Sequence, residues 1–383
     1  MRHLDEAILR LPFFAPRHRE LAEKIDTWCT KHAALCQGPH PDGPRAQQLA
    51  ILSTLGADGW LAMLDTSGEA PELRSICLMR EALAYAGDLA DYAFSIQALS
   101  ATPIQRHGTD QQRRRYLPGL ADGSLVGAFA VSEHNAGSDL AAIALRAERT
   151  GDGYRLTGHK AWIANGDIAD VICVVARTGE GPGALGLTAF LVPAGTPGFT
   201  VAEQVETLAP RAFAQLEFDG CVVGEDAVLG RPGTGFIVAM ELLERFRMTV
   251  GAAAVGFARR AAEAALAHAR GRTIYGGRLF DLPTVKATFA DIELKRNAAA
   301  LLVARAAWEA DERGGRTVSK HSSIAKLYAT EVAQEIVDAS LQLYGAAGLV
   351  SGSVTERLYR EIRSLRIYEG TSEIQKQIIA GSL

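Results

Sequence analysis

The stretch Arg366-Ile367-Tyr368-Glu369-Gly370-Thr371-Ser372-Glu373-Ile374-Gln375 sets one carboxylate, Glu369, between an apolar pair and a Gly-Thr step. A helix is expected to begin just after it, with Thr371 as N-cap and Ile374, Ile378 and Ile379 as its apolar periodicity. Glu369 then lies in the turn that enters this helix. The neighbouring glycine lets another molecule approach the backbone closely. A carboxylate in an apolar surround is a candidate general base, because desolvation raises its pKa toward the working pH. A solvated surface glutamate fits the same ten residues, so the rest of the chain has to decide.

Working back from this stretch, the chain from about Gly235 reads as long helices. These are Phe236–Arg270, Leu282–Arg313 and Ser319–Tyr344, with shorter ones at Thr355–Ser364 and Thr371–Ile379. Their apolar stripes suggest a unit like a four-helix bundle, and Gly251 to Gly256 would let a neighbouring helix pack closely. Residues from Gly123 to about 234 change character. Apolar runs at Leu125–Val131, Tyr154–Ile163, Val171–Ala176, Leu187–Val192, Phe199–Val201 and Ala214–Phe218 alternate with turn residues. Gly151-Asp152-Gly153 reads as a hairpin turn. This spacing predicts a β domain, sandwich or barrel-like. The first 122 residues read as helices, with a Gly/Pro/His loop over Cys36–Pro44 and a helix stop and new cap at Gly108-Thr109-Asp110. The expected class is α+β in three domains, 1–122, 123–234 and 235–383.

A length of 383 residues exceeds one small core, which agrees with several domains. A net charge of -4 argues against a general nucleic-acid or anionic-membrane surface, since either favours a basic excess. No apolar run is long enough to span a bilayer. The opening Met1-Arg2-His3-Leu4-Asp5-Glu6 resembles neither a signal core nor a transit peptide. The five cysteines are scattered and odd in number, and the nine histidines form no HExxH pair. Reduced thiols, no metal and a cytoplasmic location are expected.

Four further stretches carry chemistry. Val131-Ser132-Glu133-His134-Asn135-Ala136-Gly137-Ser138-Asp139 follows a strand and offers hydroxyls and backbone N–H groups to a polar ligand. Gly158-His159-Lys160-Ala161-Trp162-Ile163-Ala164-Asn165-Gly166 holds a tryptophan that is either core or a flat wall for a flat cofactor. Arg270-Gly271-Arg272-Thr273-Ile274-Tyr275-Gly276 ends a long helix, where Arg272 either clamps a phosphate or complements the helix C-terminus. Gln342-Leu343-Tyr344-Gly345-Ala346-Ala347-Gly348 follows a helix, so its glycines are not a dinucleotide fingerprint.

Their order and spacing, together with Arg360-Glu361 and the opening stretch, resemble the acyl-CoA dehydrogenase family of flavoproteins from about residue 90 to the C-terminus. The resemblance implies the acyl-CoA dehydrogenase fold and FAD bound without a Rossmann domain. Trp162 matches the residue flanking the isoalloxazine away from substrate. Val131 and Ser132 match the loop at its pyrimidine end, and Ala164 stands at a further flavin position. Arg272, Tyr275, Gln342 and Gly345 match contacts to a flavin held by a neighbouring subunit. Thr371 and Glu373 match contacts to the FAD phosphate and adenosine region. Ser138, Arg247 and Gly370 fall at substrate positions. Glu369 matches the base that takes the α-proton of an acyl thioester while the β-hydrogen leaves as hydride to flavin N5. The expected partners are an acyl thioester on CoA or acyl carrier protein, an electron-transfer flavoprotein, and further copies of the chain in a homotetramer.

A minority branch of the family places the base on the long helix near 236. The matching position here is Phe246, which has no ionisable group, and Glu244 is out of register by two. Three departures stand out. Ala164 replaces a hydroxyl residue that bonds flavin N5, His134-Asn135 replaces a Glu-Pro-type approach, and Pro283 replaces a glutamine. Ala164 keeps open an alternative in which the enzyme is a flavin oxidase or monooxygenase on an acyl thioester.

Overall fold

Chain punctuation sets the helices. Pro16 opens Pro16–Lys31, Thr109 caps Asp110–Asp122 through a reciprocal box with Gln112, and Ser353 caps Val354–Ile362. The computed structural model describes residues 2–38, 40–65, 72–179, 181–314 and 318–383. The expected loop over Cys36–Pro44 is shorter than its composition suggests. Ala33–Gln37 and Gly43–Ala57 are helical, and Pro39 lies outside the described residues.

The strands are β1 (Gly127–Ala130), β2 (Arg146–Arg149), β3 (Gly153–Ala164), β4 (Val171–Arg177), β5 (Leu187–Pro193), β6 (Phe199–Gln204), β7 (Phe213–Gly224) and β8 (Val228–Leu229). They form one mixed sheet in the order β6-β7-β3-β2-β4-β5-β8, with β1 pairing parallel to β4. The 151–153 turn closes the β2–β3 hairpin as expected. Sequence reading missed β2 and β8. Arg146-Ala147-Glu148-Arg149 has a single apolar residue, and β8 is two residues long. The fold thus has an N-terminal helical part, a mixed sheet and C-terminal helices.

The described chain forms two compact units. One comprises Met1–Gln37, Glu72–Asp91 and Glu244–Leu383; the other comprises Gly38–Pro71 and Tyr92–Leu243. In the sheet-bearing unit the core is built from alternate residues such as Leu156, Ile172, Val174, Phe190, Leu216 and Phe218. Buried Gln97 pins the entry to β1. Its amide donates to the carbonyls of Leu120 and Leu125 at 2.9 and 2.6 Å and accepts from Gly127 N–H at 3.0 Å. In the helical unit the Gly251–Gly256 stretch performs the close packing its composition predicts. A Cβ at Gly256 would lie 2.2 Å from the Glu81 carbonyl, and one at Gly251 would lie 3.0 Å from Val303.

Candidate active site

Glu369 follows a short 3-10 segment, Arg363–Arg366, whose Ser364 carbonyl accepts from both Ile367 and Tyr368 N–H. The chain must then reverse into the helix Ser372–Gly381. It does so with two successive left-handed residues, Glu369 (φ 54°) and Gly370 (φ 88°). Glycine adopts this conformation freely; a glutamate is strained in it. Thr371 caps the helix, its hydroxyl accepting from Ile374 N–H as the sequence predicts.

Glu369 Oε2 is buried and has no hydrogen-bond partner among the described residues. Burial pushes the carboxyl up to about 7, against the pull of Arg80, Lys326 and Arg247. Arg80 is fully buried and already matched. Its Nε and Nη2 donate to the two Asp91 oxygens at 2.8 and 2.9 Å, and its Nη1 donates to Thr249 at 2.9 Å. Arg247 is 3% exposed, and its Nε and Nη1 have no partner among the described residues. Lys326 is fully buried, and burial lowers its ammonium to about 8. A buried carboxyl with one oxygen unpartnered among the described residues, titrating near neutrality with cations close by, is suited to taking a proton from carbon. Phe246 is fully buried, and Glu244 accepts from Ser319, so neither competes with Glu369.

In the sheet-bearing unit, β3 carries register shifts against β7 between Leu156 and Gly158 and between Lys160 and Ile163. The second bulge re-aims Trp162, which has φ 57° and is 48% exposed. The core alternative for this tryptophan is therefore overturned, and its indole presents a flat face to solvent. The His134 ring packs edge-on against it at 5.1 Å and bonds Gln215 at 2.6 Å. The loop from Val131 to Ser138 is braced from below. Lys160 donates to the Val131 carbonyl and to Glu133, both at 2.8 Å, and Ser132 accepts from Ala161 N–H. Val131 is buried, Ser132 and Ala164 are half-buried, and Ser138 is exposed.

In the helical unit, Thr273-Ile274 pairs with Gly277-Arg278 across Tyr275-Gly276, whose φ values are both positive, 49° and 79°. Two such residues make a tight primed hairpin turn. Tyr275 stands 92% exposed at its tip. Gly345 (φ 61°) lies beside Arg272, since an added Cβ would be 3.8 Å from its Nη1. Arg272, Gln342 and Glu373 are also exposed. These residues fit a phosphate-bearing cofactor: an exposed guanidinium next to a glycine leaves room for an anion.

Among the described residues, only Trp162, Asn165, Tyr275 and Glu369 are non-glycines with positive φ, and all four fall in the stretches singled out from sequence. Strain concentrates at working sites. Sequence reading did not find Lys326 or Gln375, both fully buried beside Glu369. A signal existed for the lysine, which follows Ala325 on the face that also carries Ala329, Ala333 and Ile336.

Family models described as acyl-CoA dehydrogenase N-terminal, middle and C-terminal domain match residues 16–124, 128–221 and 233–383. The chain is 38% identical over 283 residues to the mitochondrial short-chain specific acyl-CoA dehydrogenase of Bos taurus, covering 73% of this chain and 68% of that protein. It is 32% identical to the probable acyl-CoA dehydrogenase fadE25 of Mycobacterium leprae, over 88% of this chain and 87% of that one. Its fold superposes on the crystal structure of acyl-CoA dehydrogenase from Geobacillus kaustophilus with a TM-score of 0.87 at 27% identity, covering 97% and 99% of the two chains. The chain belongs to the acyl-CoA dehydrogenase family, a family of flavoprotein oxidoreductases. Membership supports a flavin cofactor. No helix among the described residues is long and apolar enough to cross a membrane.

Proposed function

We propose that the protein catalyses FAD-dependent α,β-dehydrogenation of an acyl thioester, with Glu369 as the base. The observation that carries this reading is the Glu369 carboxyl, held up at about 7 with Oε2 buried and unpartnered among the described residues. The thioester carbonyl acidifies the α-carbon. Glu369 takes that proton, and its own backbone N–H serves as one donor to the enolate-like oxygen. FAD, when bound, supplies the acceptor for the β-hydrogen as hydride. Trp162, Val131, Ser132 and Ala164 would hold its ring system. Arg272, Tyr275, Gln342 and Gly345 would reach a flavin held by a neighbouring subunit, and Thr371 and Glu373 would contact the FAD phosphate and adenosine region. Ser138, Arg247 and Gly370 are assigned to the substrate.

The 38% identity to a short-chain specific relative supports a short acyl group. An electron-transfer flavoprotein is the proposed electron acceptor, and a cytoplasmic homotetramer of three-domain subunits (1–122, 123–234, 235–383) the proposed form. Ala164 favours a second reading, because a methyl group cannot donate a hydrogen bond. In it the enzyme is a flavin-dependent oxidase or monooxygenase on an acyl thioester. The test is anaerobic mixing with short acyl thioesters on CoA and on acyl carrier protein, followed by admission of air. Bleaching that persists in air until an electron-transfer flavoprotein is added is the expected result. Rapid reoxidation with peroxide or an oxygenated product would replace it with the second reading.

A further inference from the structure

Two fully buried side chains from different helices converge on one carbonyl next to Glu369. Lys326, on the helix Ser319–Tyr344, donates from Nζ to the Gly370 carbonyl at 2.8 Å. Gln375, on Ser372–Gly381, donates from Nε2 to the same carbonyl at 2.9 Å and to the Glu369 carbonyl at 3.2 Å. The fit is close: a Cβ on Gly370 would lie 2.6 Å from that Gln375 nitrogen. We propose that Lys326 and Gln375 are positioning residues for the catalytic turn, holding Glu369 in its left-handed conformation so that its carboxylate and backbone N–H keep their aim. This rests on the reading of Glu369 as the base.

A purely structural role does not explain the lysine. Its Nζ makes no ion pair among the described residues, and burying an unpaired ammonium costs several kcal/mol that an apolar side chain of similar size would avoid. A buried charge retained against that cost has to act on something. The groups it feels are Glu369 first, then Arg247, Glu331 and Glu373. Glu369 in turn faces Arg80 and Asp91 from the helices Leu73–Ala86 and Asp88–His107, Arg247 from Gly235–Gly271, and Lys326. Arg80, Lys326 and Arg247 all favour ionised Glu369, and Lys326 is also bonded to the turn itself. Lys326 thus joins two effects, grip and charge, while Gln375 contributes grip alone.

Three variants separate them in FAD-loaded protein. In Lys326→Gln the amide still donates to Gly370 but the charge is gone. Loss of a nearby cation disfavours the carboxylate, so the acid limb of the bleaching-rate profile moves up by about one pH unit while the alkaline plateau stays within about threefold. Lys326→Met loses both, and its plateau falls by about ten- to a hundredfold as well. Gln375→Met lowers the plateau without moving the limb. A second readout needs no substrate: the infrared carbonyl band of protonated Glu369, identified by its loss in Glu369→Gln, titrates at higher pH in Lys326→Gln. An unmoved band in that variant, or a wild-type profile in Lys326→Met, overturns the proposal. Absence of bleaching in the wild type, with the band still shifting, would instead overturn the dehydrogenase reading and leave the turn's electrostatics standing.

Discussion

Glu72 and Glu369 are both glutamates at the entrance to a helix in the same compact unit, and their surroundings drive them apart. Burial pushes Glu72 up, but hydrogen bonds from Arg17 (2.7 Å) and His18 (2.8 Å) and the charge of Arg74 outweigh it and hold the carboxyl at about 2. Even the helix N–H groups beside it are served elsewhere, with Leu73 and Arg74 N–H donating to Asp311 at 2.7 and 3.0 Å. Glu369 faces cations too, but Oε2 bonds to none of them, and desolvation wins. A saturated carboxylate is a structural pin; one left dry and unsatisfied is available for chemistry. Glu81 marks the limit of the rule. It is also raised to about 7 by burial, yet it accepts from Arg259 at 3.3 Å, so a raised pKa alone does not mark a base.

The largest test of this contrast is Glu369→Gln. Stopped-flow bleaching by an acyl thioester should fall by about 10²–10⁴-fold while FAD binding is retained. Normal bleaching would place the base elsewhere. In the wild type the rate should decline as pH drops through about 7, as Glu369 takes up a proton.

Next comes Glu72→Gln, which should cost about 2 kcal/mol in urea unfolding at neutral pH, after discounting for its partial exposure, and leave the bleaching rate of the folded protein unchanged. The sign follows from linkage. A folded pKa depressed below the ordinary glutamate value of 4.5 contributes stability that is full above 4.5 and lost as pH falls toward 2. The gap between variant and wild type should therefore close in acid.

Glu369→Gln should behave oppositely, gaining up to about 2 kcal/mol at pH 8 and almost nothing below 4.5. A raised folded pKa makes the ionised group a cost that grows as pH rises from 4.5 through about 7. Equal melting temperatures at pH 8 would mean the carboxylate is not desolvated. The smallest effect is expected from Glu81→Gln, with bleaching within about threefold of wild type, since its partner Arg259 lies outside the Glu369 group. A large loss there would dissolve the distinction between a saturated and a dry carboxylate.

The sequence by itself determined the succession of helical, strand-rich and helical regions, though not β2 or β8, because periodicity, caps and turn residues are local. Ser319–Tyr344 was legible to the residue, as was the Thr371 cap. It also marked Glu369, Trp162, Arg272 and Tyr275 as site candidates, through stretches whose order is specific although each alone is weak. Only the tertiary structure decided what each candidate meets. The β3 bulge turned Trp162 outward, and the hairpin turn placed Tyr275 at an exposed tip. Distant helices brought Arg80, Arg247 and Lys326 around a glutamate that in sequence has only Tyr and Gly beside it. Desolvation and Coulomb interaction depend on distance in space, and no local pattern reports that distance; the same residue type could therefore become a pin at Glu72 and a candidate base at Glu369.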